Sequence, residues 1–220
     1  MKALILFALF CVYRLFGQIH VMVTSAQIAL RYEERKVEYL NCFRALKFYG
    51  IDPWIIEATN TDSSIFDELS DQVLYPQKHN DALKNKGVNE TMSMRASLPL
   101  LPFGDDDMVV KLTGRYYLYD RTFFDIIREN DAEYDAFVCY GKNFVGPEHI
   151  FTGCFALRWK YFKQFINEMD FDRAEREYIP VEQLYAEFIE TNHIRTIIVD
   201  PLNVIAKVYF NPEWHETYVW

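Results

Sequence analysis

Three consecutive carboxylates, Asp105-Asp106-Asp107, form the longest uninterrupted acidic run in the sequence. Carboxylates side by side attract hard divalent cations such as Mg or Mn, yet behind Gly104 the same run also reads as a solvated acidic turn. The five histidines, His20, His79, His149, His193 and His215, show no close ligand spacing, and the four cysteines, Cys11, Cys42, Cys139 and Cys154, include no C-x-x-C pair. Zinc and a disulfide framework are therefore not expected, and the cysteines read as small apolar core residues. Asn89-Glu90-Thr91 matches a glycosylation sequon but falls in an expected helix start, so it is set aside. Thr24 and Ser25 read either as a helix-capping turn or as ligand contacts, and Glu182 as a carboxylate facing the positive end of a helix dipole.

The charge balance limits the partners. Lys and Arg number 23 against 32 Asp and Glu, a net charge of −9. A surface that tracks nucleic-acid phosphates needs the opposite sign, so nucleic acid is excluded as an expected partner. An anionic small molecule would have to be held by a local cluster of cations or by backbone N–H groups.

The elements that must position such groups follow from periodicity. A chain of 220 residues, 50% hydrophobic and 17% aromatic, suits one globular core. Ile19 to Val23 reads as a buried strand followed by the small polar turn Thr24-Ser25-Ala26. Beyond Arg31, the apolar residues Tyr39, Cys42, Phe43, Leu46 and Tyr49 fall on one stripe of a helix ended by Gly50, with Glu33, Arg35, Lys36, Arg44 and Lys47 assigned to the opposite face. Trp54 to Glu57 is a second strand. This βαβ pattern predicts a parallel sheet. Further along, a short helix is expected over 65–69, a helix from Lys86 to Pro99 or Pro102, a strand at Met108–Leu112, a helix over Thr122–Arg128 and a strand over Ala136–Tyr140. A strand over Ile150–Leu157 enters a helix over Lys160–Met169. A charged loop follows, then a helix from Pro180 to Ile189 and closing strands at Arg195–Val199 and Val204–Val208. The fold class expected is a single α/β domain with a central, mainly parallel sheet flanked by helices. In such open sheets ligands bind beyond the carboxyl ends of strands, where Thr24, Glu57 and Thr113 should lie.

Residues 1–18 precede the first strand as a hydrophobic leader, with Lys2 followed by an apolar run from Ala3 to Tyr13. About 11 apolar residues suit a signal-peptide core, whereas a spanning helix needs about 20. Arg14 and the Leu15-Phe16 pair before Gly17 fit a cleavage site poorly, which leaves an uncleaved interfacial anchor as the rival. The domain, residues 19–220, is accordingly expected to be exported or membrane-associated, with the cytoplasmic face of a membrane as the alternative. The aromatic tail from Trp214 to Trp220 is expected to pack on the core.

At four places the sequence resembles nucleotide-diphospho-sugar transferases of the GT-A type, which are Rossmann-like, and particularly small bacterial glycosyltransferase-like proteins. These places are Val21-Met22-Val23-Thr24-Ser25-Ala26 with Arg31, Lys86-Gly87-Val88-Asn89-Glu90, Val109-Val110-Lys111-Leu112-Thr113-Gly114-Arg115-Tyr116, and Phe151-Thr152-Gly153-Cys154-Phe155-Ala156. The resemblance implies transfer of a sugar from a nucleotide-sugar donor to a glycan or lipid-linked acceptor, as in cell-surface glycan biosynthesis. It places Thr24, Ser25, Ala26, Arg31, Glu57, Gly87, Lys111, Thr113 and Gly114 at the donor, and Thr152 and Gly153 at the acceptor. It also makes Glu182 the candidate base for the acceptor hydroxyl, with Asp172 and Glu177 as alternatives. Most of the family carry Asp-x-Asp after the third strand to hold a metal on the diphosphate. Here that strand runs into Thr113-Gly114-Arg115. A guanidinium can stabilise a departing diphosphate through paired hydrogen bonds, and Arg115 is read as the substitute for the metal. No cofactor is expected, with a divalent metal at Asp105, Asp106 and Asp107 as the rival. A non-catalytic nucleotide-sugar or glycan binding protein with a degenerate site is the alternative function. A nucleotidyltransferase would need a glycine-rich basic loop where Thr24-Ser25-Ala26-Gln27 stands.

Overall fold

A computed structural model describes residues 17–26, 32–60, 62–76, 80–141, 149–209 and 215–219. The leader through residue 16 and Arg31 lie outside the described residues, as do Gln27 to Leu30. Strand β1 (Ile19–Ser25) leads to helix α1 (Tyr32–Phe48), β2 (Trp54–Glu57) and the short β3 (Val73–Leu74). Helix α2 (Lys86–Ser97) runs into a 3-10 turn at Leu98–Leu100 and then β4 (Met108–Thr113). After β5 (Tyr117–Leu118) come α3 (Thr122–Asn130), β6 (Ala136–Val138), β7 (Cys154–Arg158), α4 (Trp159–Glu168), α5 (Phe171–Arg176) and α6 (Val181–Thr191). Strands β8 (Thr196–Ile198), β9 (Val204–Tyr209) and β10 (His215–Val219) complete the order.

Seven strands form the main sheet in the order β3-β2-β1-β4-β7-β6-β8. All pairings are parallel except those of β7, which runs antiparallel to both β4 and β6. A small antiparallel sheet, β10-β9-β5, lies beside it. Alternation along the strands divides the core between the two faces. Val21, Val23, Val110 and Leu112 pack with Tyr39, Cys42, Phe43 and Leu46 of α1 and with Phe123, Phe124 and Ile127 of α3. Met22, Val109, Phe155 and Leu157 pack with Val88 and Met94 of α2, with Trp159 and Phe162 of α4 and with Tyr185 of α6. The predicted α1 stripe is thus buried from Tyr39 to Leu46, with Tyr49 half-buried just past the helix, and Gly50 at φ +75° closes that helix as a left-handed cap.

Four local expectations are corrected. Residues 65–69 form turns, held by Leu69 N–H to the Phe66 carbonyl, not a helix. The supposed charged loop contains α5, whose first turn is capped by Asp170 accepting from the Arg173 amide at 2.9 Å. The strand expected from Ile150 begins only at Cys154, because Thr152 and Gly153 turn the chain. The strand expected to reach Tyr140 ends at Val138, leaving Tyr140 in an isolated bridge to Ile150.

Candidate functional site

The sheet brings the carboxyl ends of β1 and β4 and the amino end of the antiparallel β7 to one edge. A cavity of about 240 Å3 opens there, at the position where open α/β sheets hold ligands. Thr24, Ser25 and Ala26 line it from β1, Thr113, Arg115 and Tyr116 from the exit of β4, and Phe151, Thr152 and Gly153 from the turn before β7. Ile56 and Ala58 at the end of β2, Arg35 and Tyr39 of α1, Lys86, Gly87, Glu90 and Ser93 of α2, and Glu182 at the start of α6 complete the wall. The tertiary structure therefore collects Thr24, Ser25, Ala26, Gly87, Thr113, Arg115, Thr152, Gly153 and Glu182, which lie far apart in sequence.

Three residues assigned to the donor lie outside the cavity lining. Glu57 is fully buried, accepting from the Ser25 hydroxyl and from the backbone N–H groups of Thr59 at 2.7 Å and Asn60 at 3.3 Å. Its oxygens are used to fix the end of β1, so it does not line the cavity. Gly114 is a packing glycine: a β-carbon there would sit 2.8 Å from the Tyr39 ring and 2.9 Å from Val23. The close approach lets Tyr39 reach Ala26, whose N–H it accepts at 2.9 Å and whose carbonyl it bonds at 3.0 Å. Lys111 is 1% exposed and turned beneath the cavity floor. Its ammonium donates to Thr113 Oγ1 at 2.9 Å and the Thr152 carbonyl at 2.8 Å, and pairs with Glu90 Oε1 at 2.9 Å.

Six polar or charged wall residues had not been given a role in the site: Tyr116 beside Arg115, and Arg35, Tyr39, Lys86, Glu90 and Ser93 on two helices. Helical spacing carried the signal for the latter five. Arg35 and Tyr39 stand at i and i+4 on α1, and Lys86, Glu90 and Ser93 at i, i+4 and i+7 on α2, so each set shares a face. Arg35 consequently belongs to the cavity side of α1, not to the solvent face assigned above.

The electrostatics suit a polyanion. Burial lowers the Lys86 pKa, and the nearby Arg35 and Arg115 lower it further. Three cations thus converge on one cavity in a chain of net charge −9. Burial alone would raise the Glu90 pKa, but Lys111, the Thr24 hydroxyl and Arg115 outweigh it and hold the carboxyl below its usual range. Burial pushes the Tyr39 phenol up to about 12, so it stays neutral as a hydrogen-bonding group. Glu182 Oε1 accepts from Thr152 Oγ1 at 2.9 Å. Tyr116 stacks on Phe151 with ring centroids 5.8 Å apart, and the Arg115 guanidinium lies 5.5 Å from the Tyr116 centroid. Gly153 stays small because a β-carbon would meet both rings within 2.5 Å.

Asp105, Asp106 and Asp107 lie at the opposite edge. They precede β4, and its six residues at about 3.3 Å each put roughly 17 Å between them and Thr113. Asp105 pairs with Lys163, while Asp107 accepts from the amides of Gln18 at 2.8 Å and Gly104 at 2.7 Å and bonds His20 at 3.1 Å. They tie strand ends together. Among the described residues no group of three His, Cys, Asp or Glu side chains is placed to hold a metal. At the exit of β4, where the resemblance implies acidic ligands, Arg115 lines the cavity instead.

No family model and no curated protein matches the chain. Solved structures do. A protein of Desulfovibrio desulfuricans G20 described as a nucleotide-diphospho-sugar transferase superimposes with a TM-score of 0.50 at 10% identity, over 84% of this chain and 80% of that one. A glycosyltransferase involved in glycosylation of the major capsid of PBCV-1 gives 0.51 at 12% identity, over 84% and 83%. The glycosyltransferase GlyE of Streptococcus pneumoniae TIGR4 gives 0.51 at 10% identity, over 84% of this chain and 45% of that one. At such identities the likeness establishes the fold alone, which is GT-A-like.

Proposed function

We propose that this chain is a glycosyltransferase that moves a sugar from a nucleotide-sugar donor to a hydroxyl of a glycan or lipid-linked acceptor. The observation that carries the reading is the convergence of Arg35, Lys86 and Arg115 on a cavity that also holds the Glu90 and Glu182 carboxylates. The cations take the diphosphate. Arg115 stabilises the negative charge that grows on it as the bond to the anomeric carbon breaks, the role a metal fills in most of the fold. Glu182 accepts the proton of the acceptor hydroxyl as that oxygen forms the new bond, and the electron pair of the broken bond leaves with the diphosphate. Direct attack of this kind inverts the anomeric centre.

A thermal-shift screen with nucleotide sugars identifies the donor, because a ligand that binds only the folded chain raises its melting temperature. With that donor, Glu182→Gln is expected to slow turnover by about 10²- to 10⁴-fold while donor binding is kept, the usual range for losing a general base. Wild-type turnover in Glu182→Gln would remove it from the mechanism. Binding with no sugar release by the wild type would make the chain a degenerate binding module.

A further inference from the structure

Lys111 is the residue least expected in the central sheet. Its neighbours Val109, Val110 and Leu112 are all 0% exposed, and a charge among them is costly. The ammonium has three N–H groups and meets three acceptors, from the end of β4, the turn before β7 and α2. Beyond these, Glu90 Oε1 accepts from the Thr24 hydroxyl of β1, and Thr152 donates to Glu182. One buried cation therefore ties Glu90 directly and Glu182 at one remove, without entering the cavity.

Stability does not account for the pair, since well-packed apolar residues in place of a buried Lys–Glu pair are often as stable or more so. What the pair achieves is orientation. Oε1 of Glu90 is fully used, whereas Oε2 accepts no hydrogen bond among the described residues, on a side chain that remains 30% exposed at the cavity wall. An ionised carboxylate oxygen only accepts, so its complement is a ligand O–H or N–H, and it repels a ligand carboxylate. The titratable groups facing Glu90 are Lys111 and Arg115 from β4 and its exit, Tyr116 beside them, and Tyr185 from α6. Arg35 and Glu182 share the same cavity, with Lys86 on the same helix as Glu90.

We infer that Lys111 is a positioning residue that holds Glu90 as a cavity-facing carboxylate, and that Glu90 receives a hydroxyl of the donor's sugar, so that the site takes a neutral sugar over an acidic one. The identity of the ligand rests on the transferase reading; the coupling of Lys111 to Glu90 does not.

The experiment uses the full chain as wild type, Lys111→Met, Glu90→Gln and the double variant. UDP, UDP-glucose, UDP-glucuronate, GDP and GDP-mannose serve as calorimetric probes. In the wild type the neutral sugar adds affinity over the bare diphosphate. Each single variant is expected to lose about tenfold of that gain, the size of one charge-assisted hydrogen bond, while the bare nucleotide binds within about twofold of wild type. The double variant binds no more weakly than Glu90→Gln, and discrimination against UDP-glucuronate falls in all three. Wild-type sugar affinity in Glu90→Gln, or losses that multiply in the double variant, overturns the inference, and Glu90→Gln decides even if Lys111→Met does not fold. Failure of the transferase reading looks different: the wild type binds none of the five probes and no nucleotide sugar raises its melting temperature in the screen. Carboxyl-carbon titration of Glu90 by NMR then decides the coupling. A wild-type midpoint below the ordinary carboxylate value that rises in Lys111→Met supports it, and a midpoint at or above the ordinary value overturns it.

Discussion

Truncating Arg115 removes one of three cations from a cavity that keeps two carboxylates. If its guanidinium carries the diphosphate charge, Arg115→Ala should lose about 2 to 4 kcal/mol of transition-state stabilisation, roughly thirtyfold to a thousandfold in turnover. Arg115→Lys restores the charge but not the planar fork, so only part of the rate returns. Both variants are to be assayed for donor affinity and turnover with and without chelator, after their fold has been checked. Chelator is expected to leave the wild type active. Unchanged turnover in Arg115→Ala, or wild-type activity abolished by chelator and restored by manganese, defeats the metal-free mechanism.

The first turns of α2 depend on Asn85, which ties sequence to site at the level of the element. Its side-chain oxygen accepts from the amides of Gly87 at 3.1 Å and Val88 at 3.4 Å, and its amide donates to the carbonyls of Ala174 at 3.3 Å and Ile179 at 2.9 Å. It thus caps the helix that presents Lys86 and Glu90 and fastens it to the segment leading into α6. Asn85→Ala should destabilise the chain by about 1 to 2 kcal/mol, as loss of a side-chain cap does, and weaken donor binding besides. Urea unfolding measures the first effect and calorimetry the second. Full donor affinity in the variant would show that the cavity does not depend on this cap.

Across the whole molecule, the edge of the sheet away from the cavity is held by ionic contacts of another kind. Arg158, at the β7 end paired with Met108, donates to Asp135 Oδ1 at 3.3 Å and to the carbonyls of Asp106 at 2.8 Å and Tyr134 at 3.0 Å, and also to that of Asp131. Arg195 supplies Asp135 Oδ2 with two further bonds at 3.1 Å. Arg158→Met should cost about 3 kcal/mol, the low end for breaking a buried pair, because Arg195 remains. Nucleotide binding by the folded variant should be unchanged at the opposite edge. A loss below about 1 kcal/mol in urea unfolding would mean the pair is as weak as a surface one.

Local periodicity was sufficient to locate β1, α1, β2 and β4 and to infer a mainly parallel sheet, because burial of one helical stripe and of alternating strand residues leaves its mark within a few turns of chain. The same reading put Thr24 and Thr113 at strand ends and Arg115 just beyond one. Antiparallel β7 was not legible, since a buried strand has the same composition whichever way it runs. Nor was the fate of Glu57 or Lys111. Whether a strand-end carboxylate meets a ligand or its own backbone, and whether a lysine reaches the cavity or passes beneath it, depends on partners 32 and 41 positions away. The joining of Arg35, Lys86 and Arg115 into one field likewise came from two helices meeting one strand end, because charges act through space, and distance in space is set only when the chain has packed.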